Sequence, residues 1–497
     1  MKKEILEYVY NYYSELYEQP ISLADKREEE RTLTLVDQLV SEEDNLRLME
    51  VPGVEELKDT IKNLPLGKSP GEDGLSVEVL REIWDEISPC CLEFIQEAWH
   101  SKLIGNFNTG AIIKLLPKSE RQEELCNWHP ILLLNLAYKL VGRILAKRLK
   151  SIIPKLVDEE QIGFIHERSI TDNIISLGLC QELAVAHSEP VTFCKLDFVK
   201  VFDKVQHSFL WATMRRMGFS PAVIELTRAL VSEGHAKVHL NGRYTKSFKV
   251  ERGVRQGCPI SPLLFAISTQ PLMCFLREGE RKGELVGVNI SRGRTLLHRL
   301  FVDDSGMAIK ANEGNFISLC RIVENFERIS GAQLNPAKSV IIPFALERSL
   351  EWLQETGYQI LNRGQYITYL RCFSVKKAEE ERAKDLRNKI QQRLGKWTCR
   401  FLTWTSHVLL LQHVLRAIPV YQFLGLGLHR NSYKQLEAPC WAFLWGINTD
   451  SSTKTPLVSW DSITKLKKNG GLQIRPFQRV SDVLKMKYFG RLMSGEQ

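Results

Sequence analysis

Apolar residues recur at helical spacing in the first part of the chain, and short β-type runs begin near residue 110. In the segment 51–64 a turn leads into an amphipathic helix, whose apolar face is formed by Val54, Leu57, Ile61 and Leu64. Strand-like runs then alternate with helical segments to about residue 345, and the strands carry charged residues at their ends. This alternation predicts an α+β fold in which a sheet is packed with helices.

Five runs have the length and composition of strands: AIIKLLPK (111–118), TFCKLDF (192–198), AKVHLNG (236–242), LHRLFVDDSGMAIK (297–310) and SVIIPF (339–344). After about residue 375 the pattern is helical again. These changes divide the chain into an acidic helical segment (1–53), a sheet-containing unit (54–374), a helical unit (375–430) and a Trp-containing C-terminal region (431–497).

The net charge of +8 is unevenly distributed along the 497 residues. Residues 1–60 hold 7 basic and 16 acidic side chains, a balance of −9, so the remainder carries +17. A basic body suits a polyanionic partner such as a nucleic acid, although solvated surface charges explain the same numbers.

Eleven cysteines without any Cys-x-x-Cys pair predict reduced thiols and no structural zinc. The acidic, tyrosine-rich N-terminus differs from a signal peptide, and the most apolar stretch (408–421) is too short to span a bilayer. We therefore expect an intracellular protein of the nucleus or cytoplasm that is neither secreted nor embedded in a membrane.

Three acidic residues are candidates for chemistry. Asp303 and Asp304 lie between two apolar runs that read as a β-hairpin, and Asp197 ends another strand-like run. If the three carboxylates meet, they form an oxygen-ligand site suited to two Mg²⁺ ions. Two simpler readings remain open, because aspartate is common in exposed turns and Asp197 also fits a helix cap.

A third string, RGVRQGCPISPLLFAI (252–267), lies between the two acidic motifs. Its glycines would allow the backbone to lie against a flat partner such as a base pair, and Gln256 offers hydrogen bonds. A turn followed by a helix explains the glycines and prolines equally well, but it does not explain the position of this string between the acids.

Taken in order, these strings closely resemble the reverse transcriptases of non-LTR (LINE-type) retrotransposons. KLDFVKVFDKV, GVRQGCPISPLLF, FVDD and GAQLNPAKS look like polymerase motifs A, B, C and D. The resemblance covers roughly residues 55–480 and includes LGKSPGEDGL, KLLPK and QIGFIHERS upstream and NGGLQI downstream. It implies a right-hand polymerase fold with fingers and palm in 54–374, followed by a helical thumb in 375–430 and a C-terminal helical region.

The resemblance also implies catalytic roles. Asp197 and Asp303 would hold two Mg²⁺ ions, with Mn²⁺ as an alternative, and Asp304 would complete the carboxylate set. Lys338 would be the motif D lysine that acts as a general acid for pyrophosphate.

Nucleotide contacts follow from the same resemblance. Phe202 would be the steric gate that crowds a ribose 2′-hydroxyl. Gln256 and Gly257 would lie along the templating base pair, and Arg168 would contact the triphosphate of a dNTP. The implied partners are an RNA template, a DNA primer and dNTPs.

Several positions depart from the family pattern. His129 and Leu132 replace an arginine and a serine in the fingers, Glu167 replaces a glycine beside Arg168, Val201 replaces an alanine in motif A, and Arg371 replaces the primer-grip glycine. None of these changes removes a metal ligand. Together they raise the hypothesis of a decayed copy that binds primer–template and polymerises poorly.

Four functions stay open on the sequence alone. They are an active polymerase, a non-enzymatic nucleic-acid-binding remnant of the same fold, a maturase-like RNA-binding protein, and a metal hydrolase that uses carboxylates alone. We also expect the chain to lack the endonuclease and the zinc knuckle of a complete element.

Overall fold

The computed structural model describes residues 2–18, 26–118, 123–232, 234–291, 294–296, 298–301, 304–344, 351–354, 357–361, 367–369, 373–375, 379–395, 397, 402–423, 428–445 and 457–494. The helices that precede the first strand are α1 (Lys2–Tyr17), α2 (Lys26–Leu33), α3 (Glu42–Met49), α4 (Val54–Lys62), α5 (Val77–Glu82), α6 (Trp84–Ser101) and α7 (Asn106–Thr109).

Strands and helices then alternate in the central part of the chain. These elements are β1 (Ala111–Pro117), β2 (Trp128–Leu134), α8 (Leu136–Leu156), α9 (Ile170–Ala186), β3 (Val191–Asp197), α10 (Val201–Lys204), α11 (His207–Arg216), α12 (Pro221–Val231), β4 (His235–Leu240), β5 (Arg243–Tyr244), β6 (Phe248–Lys249), α13 (Ser261–Arg281), β7 (Val288–Ser291), β8 (Arg294–Leu296), β9 (His298–Phe301), β10 (Asp304–Lys310), α14 (Glu313–Ser330) and β11 (Val340–Phe344).

The C-terminal part is mainly helical. It contains α15 (Glu351–Gln354), β12 (Gln359–Ile360), β13 (Ile367–Tyr369), β14 (Phe373–Val375), α16 (Glu379–Leu394), α17 (Trp404–His413), α18 (Val420–Phe423), α19 (Arg430–Leu444), α20 (Trp460–Ile463) and α21 (Phe477–Ser494).

Two larger sheets organise the fold, and all five runs predicted as strands contribute to them. The first sheet has the order β2-β1-β4-β5, with β6 also paired to β4. The second has the order β12-β11-β3-β10-β9, and its central strand β3 runs antiparallel to both β10 and β11. The α+β prediction is therefore confirmed.

Strand β3 is buried on both faces of the second sheet. Val191 and Phe193 belong to one apolar cluster, which they share with residues of α9, whereas Cys194 and Leu196 belong to the main core. Because successive side chains of a strand point to opposite faces, this burial fixes which residues face each layer. The charged end of the strand, Asp197, is only partly buried.

The N-terminal and C-terminal helices differ in how they pack. Val9 and Tyr13 of α1 are buried in the main core, together with residues of the central sheets. The helices from α16 onward instead have an apolar core of their own, which runs from Leu386 to Phe477. This core includes residues on both sides of position 430, so the boundary proposed there stays a prediction.

The amphipathic helix predicted in 51–64 forms as α4, with one exception on its apolar face. Leu57, Ile61 and the following Leu64 are buried, as expected. Val54 is 43% exposed, because it is the first residue of the helix and lies beyond the edge of the core.

The glycine-rich loop before α5 packs against the backbone at the start of α8. A Cβ at Gly71 would lie 2.4 Å from the backbone carbon of Leu134, so only glycine fits there. The Asp73 carboxylate accepts a 2.6 Å hydrogen bond from the backbone N–H of Leu136, at the first turn of α8. The loop therefore has a structural role, and its Lys68 is exposed.

Candidate active site

Strand pairing brings two of the predicted carboxylate positions side by side. Asp197, the last residue of β3, is the register partner of Asp304, the first residue of β10. Directly opposed residues of antiparallel strands have Cα atoms about 4.5–5.5 Å apart. Asp303 lies outside the described residues.

The backbone of Asp197 is fixed by the segment that resembles motif D. Its N–H donates a 3.0 Å hydrogen bond to Ser339 Oγ, and its carbonyl accepts a 2.8 Å bond from the N–H of Asn335. The residue that caps the following helix α10 is Lys200, in a left-handed conformation with φ 45°. Asp197 is therefore not a helix cap.

A cavity of about 510 Å³ opens beside this strand pair. Its walls come from the ends of β1 and β3, the start of β2, helix α10, the loop before α13 and the loop before β11. Five of the predicted site residues line it, namely Asp197, Phe202, Gln256, Gly257 and Lys338. Distant parts of the chain thus meet at one place.

The ring of Phe202 is held by two other aromatic rings. It stacks on Phe265 of α13 at 4.3 Å between centroids and meets Phe164 edge-to-face at 6.1 Å. Aromatic pairs in these geometries restrict a side chain to one orientation. The half-buried Phe202 therefore forms a rigid wall of the cavity.

Gln256 is held by a buried carboxylate that was not among the predicted site residues. Its Nε2 donates a 3.2 Å hydrogen bond to Asp203 Oδ2, and Tyr17 Oη donates a 2.9 Å bond to Asp203 Oδ1. Burial raises the pKa of Asp203 to about 6, although the hydrogen bond from Tyr17 and the nearby Lys200 act in the opposite direction.

Gly257 occupies a position that no other residue fits. Its φ is +112°, and an added Cβ would lie 2.6 Å from the carbonyl oxygen of Leu132 in β2. The backbone N–H of Leu132 in turn donates a 3.0 Å bond to the carbonyl of Gln256. The loop before α13 is thus joined to the first sheet.

Basic side chains also line the cavity. Lys118 at the end of β1 and Lys200 were not among the predicted site residues, although Lys118 ends the KLLPK string. His129 lies in the same wall, and partial burial and the neighbouring Lys118 lower its pKa. The imidazole is therefore neutral at pH 7, whereas the lysines supply positive charge.

The structure does not bring Arg168 into this cavity. Its guanidinium donates to the carbonyls of Pro154 and Val157 at 3.0 Å, to that of Gln161 at 2.6 Å, and to that of Asp158. Arginine near the end of a helix commonly satisfies its last carbonyls in this way. Arg168 thus clamps the end of α8, and its contact with a triphosphate stays a prediction.

Two of the unusual residues differ in their position relative to the cavity. Glu167 has φ +69°, a left-handed conformation that glycine adopts without strain, and its side chain is exposed outside the cavity-lining set. Val201 is buried and contributes to the cavity wall. Arg371 lies outside the described residues.

A sheet whose central strand ends in Asp197, beside a strand that begins with Asp304, has the arrangement expected for the palm of a right-hand polymerase. The family model for reverse transcriptase (RNA-dependent DNA polymerase) matches residues 116–402, more than half of the chain. The chain belongs to this family.

The related proteins come from transposable elements. The chain is 26% identical over 425 residues to the transposon TX1 uncharacterized 149 kDa protein of Xenopus laevis, covering 82% of this chain and 31% of that protein. It is 26% identical to a type-1 retrotransposable element R2 Pol polyprotein of Popillia japonica, covering 56% of this chain and 37% of that one. The RNA-directed DNA polymerase of mobile element jockey from Drosophila melanogaster is also 26% identical, covering 78% and 40% respectively.

The chain is related to non-LTR retrotransposon reverse transcriptases. It spans between about 31% and 40% of the length of these three relatives.

No described helix is long and apolar enough to cross a bilayer. Among the described residues, which leave out Asp303, no three or more His, Cys, Asp or Glu side chains form a metal-binding group.

The raised pKa of Asp203 predicts a specific dependence of stability on pH. The folded-state pKa of about 6 lies above the unfolded value of 3.8, so this group's stabilising contribution is complete below pH 4 and is lost as the pH rises through 6. We expect Asp203→Asn to remove this loss, which is on the order of 3 kcal/mol. Urea unfolding at pH 4–7 measures it, and parallel curves for the two proteins would contradict the assignment.

The left-handed conformation of Glu167 predicts a stabilising substitution. Glu167→Gly should raise the free energy of unfolding by about 1 kcal/mol, because a residue with a Cβ is strained at this φ. Urea unfolding measures the change. His166→Gly is the control, because its backbone conformation is ordinary, and it should not stabilise the protein. An equal effect of both substitutions would argue against backbone strain.

Proposed function

We propose that this chain is an RNA-directed DNA polymerase, which extends a DNA 3′-hydroxyl along an RNA template with dNTPs. The observation that carries the proposal is the cavity beside the Asp197–Asp304 strand pair, because it collects five of the eight predicted site residues. Template and dNTPs are found inside cells, so we propose that the protein acts in the nucleus or cytoplasm.

The carboxylates of Asp197, Asp303 and Asp304 would hold Mg²⁺, or alternatively Mn²⁺. An oxygen-only donor set of this kind suits a hard cation that also binds substrate phosphates. Two such ions would activate the primer 3′-hydroxyl and neutralise charge on the departing pyrophosphate.

In the proposed reaction, the primer 3′-oxygen bonds to the α-phosphorus of the dNTP, and the bond from this phosphorus to pyrophosphate breaks. Lys118 and Lys200 line the cavity and would neutralise the triphosphate. Lys338 lines the same cavity and would donate a proton to the leaving pyrophosphate.

The remaining parts would hold the nucleic acid. Gln256 and Gly257 would lie against the nascent base pair, within the fingers and palm of residues 54–374. The helices of residues 375–430 would form the thumb and contact the primer–template backbone. Segments 1–53 and 431–497 would support these units at either end.

A second candidate is a nucleic-acid-binding remnant that has lost catalysis. His129 favours it, because its lowered pKa leaves this wall of the cavity with a neutral group where the family has a permanent cation. Such a protein would bind primer–template normally and fail in nucleotide addition.

Primer extension on poly(rA)/oligo(dT) with dTTP and Mg²⁺ tests the proposal. We expect extension by the natural chain and a loss of about 100-fold or more in Asp197→Asn, because a metal ligand contributes several kcal/mol to the transition state. Asp482→Asn, which changes an exposed carboxylate on α21, is the matched control and should extend normally.

Duplex affinity is measured on the same proteins. Binding without extension by the natural chain would support the remnant instead of the polymerase. Extension that survives in Asp197→Asn would contradict the proposed metal site.

The aromatic wall predicts how the enzyme selects its sugar. Phe202→Val shortens the side chain next to the proposed ribose position, so incorporation of rUTP relative to dTTP should rise by about tenfold or more. The ratio of kcat/KM values for the two nucleotides measures this selectivity. An unchanged ratio with normal dTTP incorporation would show that Phe202 is not the steric gate.

A further inference from the structure

Helix α1 ends against the segment that leads into the Gln256 loop. The backbone N–H of Glu251 donates a 2.9 Å hydrogen bond to the carbonyl of Tyr17. Arg252 donates from Nε to the carbonyl of Leu16 at 2.8 Å and from Nη2 to that of Glu15 at 3.2 Å. These bonds satisfy carbonyls at the end of α1 that have no partner within the helix.

Aromatic packing fixes the same helix end. The ring of Tyr17 is fully buried and stacks on Phe248 of β6 at 6.2 Å between centroids, with only 13° between the ring planes. Phe248 and Arg252 both belong to the segment that leads into the loop of Gly253–Cys258, so α1 packs against the entry to this loop.

The hydroxyl of Tyr17 reaches further, into the polymerase site itself. It donates to Oδ1 of the buried Asp203, whose Oδ2 accepts from Nε2 of Gln256. An ionised carboxylate can accept hydrogen bonds at both oxygens, so Tyr17 and Gln256 bind Asp203 at the same time. The bond from Tyr17 holds the carboxylate in one orientation, and this orientation restrains Gln256. The amide of Gln256 is thereby oriented with its oxygen away from Asp203.

A second tyrosine of α1 touches the other side of the same helix α10. Lys200 Nζ donates to Tyr12 Oη at 2.5 Å and lies 4.5 Å from the centroid of the Tyr12 ring. A lysine held over an aromatic face is restricted in its orientation. Helix α1 therefore contacts two cavity-lining residues, Lys200 through Tyr12 and Asp203 through Tyr17.

We propose that Tyr17 is a positioning residue of the polymerase site, which acts through Asp203 to orient Gln256 toward the incoming nucleotide. This inference rests on the proposed polymerase function. Tyr17 does not touch the substrate, and its influence on nucleotide binding passes through the two hydrogen bonds to Asp203.

Steady-state kinetics of dTTP incorporation on poly(rA)/oligo(dT) test the proposal. Tyr17→Phe keeps the ring that stacks on Phe248 and removes only the hydroxyl, so KM for dTTP should rise by about tenfold with a smaller change in kcat. Tyr8→Phe, on an exposed position of the same helix, is the control and should leave both constants unchanged.

A double-mutant cycle shows whether the effect passes through Gln256. In the Gln256→Ala background, Tyr17→Phe should produce no further increase in KM. Additive effects, or an unchanged KM for Tyr17→Phe alone, would overturn the positioning role.

Hydrogen exchange separates this inference from the polymerase function, because it requires no turnover. Tyr17→Phe should speed amide exchange in residues 252–258 and leave β3 at the natural rate. If the natural chain extends no primer but this exchange pattern appears, the polymerase proposal fails and the link from α1 to the loop stands. Faster exchange confined to α1 would overturn the link.

Discussion

The antiparallel register of β3 and β10 sets the position on which every other part of the site depends. Asp197 is the last residue of β3 and Asp304 is the first of β10, so these register partners lie at the same edge of the sheet. A shift of one residue would turn the side chains of β10 to the opposite faces. Burial of β3 on both faces opposes such a shift, because Phe193 and Cys194 fill different cores.

Placing acidic positions together is unfavourable unless positive charge compensates for it. Lys118 and Lys200 line the same cavity, and a bound cation would add to their effect. Lys200 is itself partly buried, and this burial lowers its pKa. The sheet therefore holds the carboxylate positions in place by backbone pairing, and the surrounding cations reduce the electrostatic cost.

The loop before α13 connects this sheet to the rest of the cavity, and two of its positions have room for glycine only. A Cβ at Gly253 would lie 2.7 Å from the carbonyl oxygen of Asp203, and one at Gly257 would lie 2.6 Å from that of Leu132. Both obstacles are backbone atoms, which cannot move without shifting α10 or β2. The sequence suggested that these glycines approach a flat ligand; in the structure their immediate neighbour is the protein's own backbone.

The strands could be predicted from local patterns, because a short apolar run with charged residues at its ends is visible within a single segment. The residues alone raised the meeting of Asp197 with Asp304 as a possibility, and the family resemblance made it an expectation, since spacing along the chain does not determine strand register. The bond from Tyr17 to Asp203 joins positions 186 residues apart, and nothing in either segment indicates it. The bonds from Arg168 to the end of α8 were not predictable for a related reason: its acceptors are backbone carbonyls, which have no signature in a sequence.

The structure also shows that two departures from the family pattern, Glu167 and His129, have different consequences. Glu167 lies outside the cavity-lining residues and has a left-handed conformation. We therefore expect it to lower the free energy of unfolding rather than the affinity for a nucleotide. His129 lies in the cavity wall beside Lys118, so its cost is the loss of a cation where we propose the triphosphate binds. We expect the left-handed Glu167 to reduce stability, whereas Lys118 and Lys200 still line the cavity and supply positive charge there.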